Sequence, residues 1–360
     1  MRNPLVELAA DGTILRVEQC KDPDREPLTE FYGGILLPGL VNAHCHLELS
    51  YLQGAIPEGE GFAAFARAMG EVRHRFPKEE REVAARRIDA QFRHEGVVAV
   101  GDISNSEESF PIKTASTIHY HTFAEVYGLR TTDTAHQEPL LKHPHTSLTP
   151  HSIYSVQEEL FRSICCEGEA PLSIHFMESE AESELFLHKG RLWEWYERVG
   201  FSCDFLHHES PAHRIIESIP ADREVILVHN CCVTQRDIDL IMNHFTAPVH
   251  WCLCPASNRY ISRLKPPVEL LRSQNLNLCL GTDSGASNGS LRMIDELRLL
   301  EGVPLEERLR WATLGGARAL GVDHTLGSIE VGKRPGLVLL EGVDLSRMEL
   351  TENSKLRRIA

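Results

Sequence analysis

The chain has 360 residues, 42% of them hydrophobic and 25% charged, with a formal net charge of −15 at pH 7. That balance describes an ordinary globular protein with enough chain to build a core without staples, and an α/β barrel commonly takes about 250 residues or more as one unit. The acidity argues against nucleic acid and anionic membrane surfaces as partners, since both need a basic face.

In chain order, the opening stretch LVELAADGTILRVEQ alternates weakly around Asp11-Gly12 and predicts a hairpin. The start MRNPLVELAADG has no charged-then-apolar signal pattern, and no apolar run approaches the roughly 20 residues that span a bilayer. Eight short apolar runs then predict strands at Ile35–Ala43, Val97–Ile103, Thr117–Val126, Thr146–His151, Leu172–Met177, Glu224–His229, Pro248–Leu253 and Leu276–Gly281. Between them Lys78–His94 and Glu180–Val199 carry helical periodicity with charged outer faces. Strands alternating with helices mean a parallel sheet, and eight of them suffice for a closed (β/α)8 barrel of the TIM type. From Leu326 the tail LGSIEVGKRPGLVLLEG returns to short strands with Gly punctuation, and the remainder after Leu340 looks sparse. The terminal strands are expected to pair into one small composite β-domain, residues 1–36 plus 326–360, beside a barrel at 37–325.

Ten cysteines are scattered without C-x-x-C spacing, several inside apolar runs where a free thiol behaves as a small hydrophobe. A reducing cytosol is the expected compartment.

The chemistry begins at His44-Cys45-His46, which closes the first barrel strand. At that spacing both imidazoles share one face and can chelate one cation. His119-x-His121 opens a strand and His143-x-His145 flanks Pro144 in a loop, so those two repeats lack the strand-end context. A barrel site draws its other groups from the C-terminal ends of further strands. His175 ends Pro-Leu-Ser-Ile-His with Glu178 three residues on, His229 ends Val-Ile-Leu-Val-His, and Asp283 ends Leu-Cys-Leu-Gly-Thr-Asp. An ionisable group buried there is costly unless it is coordinated or paired.

With these residues in view, the chain resembles the amidohydrolase superfamily, in its deaminase and chlorohydrolase branch. The segments LPGLVNAHCH, TPHSIYS, HFMESEAE, CPASN, GTDSGASN, MIDELR and ATLGGARALG carry the resemblance in the family's order, from about Gly34 to Leu340. It implies a TIM-type barrel with a small β-sandwich formed by both termini, and His44, His46, His175 and Asp283 as ligands of one divalent ion, zinc or iron(II). It implies Glu178 as proton-shuttling acid, His229 as the group that polarises the attacked centre, Asp283 as ligand and base, and His151 as a substrate contact on the fourth strand. That strand ends Pro150-His151-Ser152 without the lysine of two-metal relatives, which favours one metal. A divalent ion with an open position lowers the pKa of bound water to about 7, and general acid help is worth about 10²–10⁴-fold. The implied reaction is hydrolysis of a non-peptide carbon–nitrogen bond, releasing ammonia from an amino-substituted heterocycle or nucleoside. Within that branch the chain resembles deaminases of adenine nucleosides, such as S-adenosylhomocysteine, methylthioadenosine and aminofutalosine deaminases.

The chain departs from nucleoside-type members in carrying Gln53-Gly54 after the H-x-H and no Trp in GEGFAAFARAM. Glu48, Glu58 and Glu60 read as solvated loop charges and Arg67 and Arg73 as surface residues, while Arg259 beyond Cys254-Pro-Ala-Ser-Asn is a candidate contact for an anionic substrate group. Two rival readings stay open: a cyclic amide hydrolase or chlorohydrolase on the same site, and an inert barrel scaffold. The expected partner is a small-molecule substrate, and a homodimer is expected by analogy of fold.

Overall fold

The computed structural model describes residues 1–20 and 29–360; residues 21–28 of the expected terminal unit lie outside it. Strands β1 (Pro4–Leu8) and β2 (Ile14–Gln19) form the hairpin. After β3 (Ile35–Pro38) come β4 (Leu40–His46), β5 (Val97–Ser104), β6 (His119–Val126), β7 (Thr146–Pro150), β8 (Leu172–Phe176), β9 (Val225–His229), β10 (Val249–Leu253), β11 (Asn277–Leu280) and β12 (Asp283–Ser284). Parallel pairing runs β12-β4-β5-β6-β7 and β8-β9-β10-β11. The bridge Ser152↔His175 joins the two sheets between β7 and β8. β11 and β12 are one interrupted strand, and β12 closes the ring by pairing Asp283 with Cys45 and Ser284 with His46.

The continuous apolar runs exist because each strand is buried on both faces. In β9 every residue of VILVH is buried. Ile226 and Val228 fill the barrel interior with Val41, Ala99, Phe123 and Cys252, while Leu227 joins Trp251, Ile174 and the helices outside. A period of two thus sorts one apolar run into two cores. All ten cysteines are free, and Cys252, Cys254 and Cys279 pack as small apolar groups in the inner core.

Two expected elements divide at glycines. The strand expected at Ile35–Ala43 splits at Gly39, where a Cβ would overlap Val98 and the Pro335 carbonyl. The half before the break pairs outside the barrel, and the half after it runs on to His46. The helix expected over Glu180–Val199 is two, Glu180–Phe186 and Gly190–Val199, because Gly190 sits at φ +79° against the Glu184 carboxylate.

Strands β13 (Leu337–Glu341) and β14 (Lys355–Arg358) add a three-stranded antiparallel sheet in the order β14-β13-β3. The tail after Leu340 is therefore better built than its sequence suggests, with Leu340 opposite Leu356. The β1-β2 hairpin stays a separate two-stranded sheet, tied to the C-terminal segment where Ile14 N–H donates to Lys333 O at 2.8 Å. Among the described residues no helix is long and apolar enough to cross a membrane.

Candidate metal centre

The barrel seam assembles the first half of the centre. Asn42 Nδ2 donates to Thr282 Oγ1 at 2.7 Å, and Thr282 N–H reaches both Asn42 Oδ1 and the His44 carbonyl at 3.0 Å. This clamp between β4 and the β11–β12 segment sets His44 and His46 beside Asp283. His46 Nε2 lies 3.4 Å from Asp283 Oδ1 and His44 Nε2 lies 3.7 Å from it. The turn that follows is fastened by Leu47 N–H to Asp102 Oδ1 at 2.7 Å.

His175 joins from the end of β8, its ring centroid 4.8 Å from that of His44 and 5.5 Å from that of His46. One ligand atom each from His44, His46, His175 and Asp283 lies within 4.8 Å of all the others, and all four residues are buried. His175 Nδ1 is 2.9 Å from the His151 carbonyl, an oxygen that only accepts. The proton therefore sits on Nδ1, and the Nε2 lone pair is free for a cation. Asp283 divides its oxygens: Oδ2 accepts from Ser257 Oγ at 2.5 Å and Ser287 Oγ at 2.7 Å, leaving Oδ1 to the histidines.

The donor set fits a divalent ion. Burial holds the His46 imidazole down at about 3 and pushes His175 well below its usual value, so both rings are neutral ligands. For Asp283 burial pushes upward, but the His44 imidazole 3.7 Å away and the facing His46 and His229 rings outweigh it and hold the carboxyl well below its ordinary range. His44 Nε2 is buried with no hydrogen-bond partner, an orphaned lone pair that a cation satisfies. Three imidazoles and one carboxylate make a zinc-type set.

His229 and Glu178 stand beside this group. His229 Nδ1 donates to Asn258 Oδ1 at 3.1 Å, and its Nε2 is buried without a hydrogen-bond partner, 3.9 Å from Glu178 Oε1. Burial pushes the Glu178 carboxyl up. Glu182 aims the Glu178 backbone by accepting from Glu178 N–H at 2.6 Å and Met177 N–H at 2.8 Å. His151 stacks on His175 at 4.5 Å with an 18° tilt, and burial holds its imidazole at about 4.

Arg259 is not brought in. It is exposed on the helix Pro255–Ser262 and makes no hydrogen bond or ion pair with the cluster among the described residues. Two residues read as surface groups are not. Glu48 is half-buried and accepts from Asn105 N–H, Ser106 N–H and Ser106 Oγ at 2.9–3.1 Å. Arg73 is half-buried too and donates to Tyr127 Oη at 3.1 Å. The other His pairs do other work: His121 Nε2 lies 2.8 Å from Ser147 Oγ, and His143 stacks on Phe110 at 3.9 Å. The sequence did offer Ser257, Asn258 and Ser287 inside CPASN and GTDSGASN, but nothing local marks them as partners of Asp283 and His229. Glu125, an acid closing the apolar run of β6, was overlooked; it is buried, and one of its oxygens lies within 4.8 Å of a ring nitrogen of His151 and of His175.

Comparison with known proteins places this geometry. Residues 35–359 match the model of the amidohydrolase family. A 5-methylthioadenosine/S-adenosylhomocysteine deaminase of Halobacterium salinarum is 26% identical over an alignment covering 89% of this chain and 76% of that protein. Among solved structures, Helicobacter pylori aminofutalosine deaminase in complex with methylthio-coformycin superposes with a TM-score of 0.80 at 24% identity, covering 98% of this chain and 94% of that one. Atrazine chlorohydrolase TrzN of Arthrobacter aurescens, complexed with zinc, gives a TM-score of 0.71 at 20% identity, covering 94% of this chain and 83% of that one. At these identities the two structures share the barrel fold.

Proposed function

The chain belongs to the amidohydrolase family, and from that membership we propose a zinc-dependent hydrolase that deaminates an amino-substituted heterocycle or nucleoside. The observation that carries this reading is the division of labour at the strand ends. Four groups converge as a ligand set, and a protonatable carboxyl, Glu178, stands beside it without joining it. The likeness to a methylthioadenosine/S-adenosylhomocysteine deaminase over most of both chains supports the same direction.

His44, His46, His175 and Asp283 hold the ion. When bound, a divalent ion with an open position brings the pKa of water to about 7 and so supplies the nucleophile. Asp283 Oδ1, its partner oxygen locked by two serines, takes the proton from the attacking water. His229 presents a lone pair at Nε2 because Nδ1 donates to Asn258; it accepts a hydrogen bond from that water, which aims the oxygen at the attacked centre and steadies it as charge develops there. Glu178, whose carboxyl burial pushes toward its protonated form, delivers its proton to the ring nitrogen of the C=N bond under attack. The proton on Asp283 then passes to the amino group, the C–N bond breaks to release ammonia, and the new hydroxyl returns its proton to Glu178 as it becomes the carbonyl. His151, stacked on His175, lines the substrate side of the centre.

Two further assignments belong to this proposal. The terminal strands form a composite β-sandwich, residues 1–36 plus 326–360, against a barrel of 37–325, supported by the pairing of β3 with β13. The compartment is a reducing cytosol and the working form a homodimer; the ten free cysteines support the first, and light scattering decides the second.

Ammonia release by zinc-loaded protein against aminopurines, adenosine derivatives, pterins and aminotriazines, with Asp283→Asn as control, tests the reading. Release on one class that vanishes in the variant is the expected result. Silence with one ion per chain bound replaces deamination by halide release or cyclic-amide hydrolysis, and a chain that binds no stoichiometric metal is a scaffold.

A further inference from the structure

Alternation along β6 puts Glu125 on the face of Phe123, which packs inside the barrel with Val41, Ala99 and Ile226. Glu125 is thus the topmost interior residue of its strand. It is 3% exposed, as buried as Glu178 at 6%. Its Oε2 accepts from Asn105 Nδ2 at 2.9 Å, and its Oε1 has no partner. The Asn105 amide oxygen is likewise buried and unpartnered. Two bare acceptors therefore belong to one bonded pair of side chains, and the Glu125 carboxylate of that pair lies within 4.8 Å of ring nitrogens of His151 and His175; buried acceptors left so are costly.

The loop carrying Asn105 is fastened on several sides. Glu48 Oε1 accepts its backbone N–H at 2.9 Å, and His136 Nε2 lies 2.9 Å from its carbonyl. Gln137 Nε2 in turn holds the Glu125 carbonyl at 2.6 Å. Such fastening keeps the acceptors in place before anything binds. A second cation is a poor occupant, although Glu125, His151 and His175 lie close enough to suggest one. A neutral His175 has one lone pair, already committed to the first cluster, and His151 Nδ1 faces Ser155 Oγ at 3.1 Å.

We propose that Glu125 and Asn105 form an acceptor pair that receives a hydrogen-bond donor of the substrate, an O–H or N–H, and so selects substrates bearing that donor next to the reacting centre. This deepens the deaminase reading and rests on it.

The test uses zinc-loaded full-length protein, wild type and Glu125→Gln, a variant that keeps an oxygen for Asn105 and puts an NH2 where the free oxygen was. Adenosine against 2′-deoxyadenosine and 3′-deoxyadenosine probes a sugar hydroxyl; adenine against 9-methyladenine probes a ring N–H. Wild type is expected to favour the donor-bearing member of one comparison by about 10- to 100-fold in kcat/KM. In Glu125→Gln that preference shrinks to within about threefold, through loss on the donor-bearing member alone, with zinc content unchanged. Equal preference in wild type and variant, equal loss on all members, or loss of zinc overturns the proposal. Ligand-induced thermal shifts on the same compounds need no turnover, so they decide the acceptor even where wild type releases no ammonia, an outcome that sinks the deaminase reading separately. There too, shifts that do not differ between wild type and variant overturn it. Asn105→Ala, a loop substitution, gives the same readout if Glu125→Gln does not fold, with loss of the preference expected and its retention overturning the proposal.

Discussion

Asp102 joins the core to the metal centre, and removing it should affect both in separable ways. Its carboxylate is fully buried at the end of β5. Oδ1 accepts from Leu47 N–H directly after His46, and Oδ2 pairs with the buried ammonium of Lys113, which also donates to Ser104 Oγ at 2.8 Å and Thr122 Oγ1 at 3.1 Å. Asp102→Ala strands a buried charge, a loss worth about 3–5 kcal/mol. With about 2.1 cal/mol/K of unfolding entropy per residue, a chain of this length should lose about 4–7 °C in Tm. Adding Lys113→Met removes the orphaned charge, and replacing both partners is close to neutral, so Tm should largely return. The Leu47 N–H stays unpaired in both variants, so zinc affinity should stay reduced in both. Scanning calorimetry and competition against a chelator read the two effects. An Asp102→Ala protein within about 1 °C of wild type, or a double variant no more stable than the single one, would refute the reasoning.

Glu178→Gln keeps shape but cannot transfer a proton, so ammonia release should fall about 10²–10⁴-fold with zinc stoichiometry unchanged; zinc lost together with rate would make Glu178 a ligand instead. Replacing Ser257 and Ser287 by Ala frees Asp283 Oδ2 and should weaken zinc binding about 10–100-fold, the usual worth of partners that orient a ligand; an unchanged affinity in chelator competition refutes that role. Glu158 gives a pH test. Burial pushes its carboxyl up, but His208, Arg214 and Arg162 outweigh this and hold it at about 2, below its ordinary 4.5. Its contribution is therefore present above pH 4.5 and lost as pH falls through 2, so Glu158→Gln should cost about 3 kcal/mol near neutrality and almost nothing near pH 2. A gap between the two proteins that stays constant across that range, read by thermal unfolding, contradicts the assignment.

What the sequence revealed and what it hid follow from the range of the interactions. The β9 run Val-Ile-Leu-Val-His was legible because burial on both faces leaves a continuous apolar word. His44-x-His46, His175, His229 and Asp283 were legible because a polar group that ends such a word breaks the pattern. The clamp between Asn42 and Thr282 was not, because 240 residues separate its halves and neither is unusual locally. Arg73 misled through its helical setting, since its bond to Tyr127 arises only when β6 closes beside it. Arg259 sits on a helix that turns Asn258 inward to His229 and leaves Arg259 itself exposed, a placement its motif alone did not show. Gly39 and Gly190 were read through as interior residues of a strand and a helix, because the close approaches that need them involve distant partners or a local fold-back that periodicity does not show.

One property of the centre could be read from neither composition nor spacing. His229 at φ +81°, Asp283 at +56° and Met177 at +48° all occupy left-handed backbone at the C-terminal ends of barrel strands. Each such residue costs about 1–3 kcal/mol and persists only where its surroundings over-determine it. They do so here. Asn230, itself at φ +59°, donates through Nδ2 to the carbonyls of Leu227 and Cys252, and its N–H reaches Phe176 O at 3.0 Å. Cys232 N–H reaches Met177 O at 2.9 Å, and two serines hold the Asp283 side chain. Relaxed strand geometry would continue the alternation and carry each side chain on to the next face. The strained turn instead swings His229 toward Glu178 and Asp283 toward the two histidines of β4, so the strain is what converts separate strand ends into one ligand set. It follows that the geometry of the centre rests on the hydrogen bonds of Asn230, Ser257 and Ser287 as much as on the identity of the ligands.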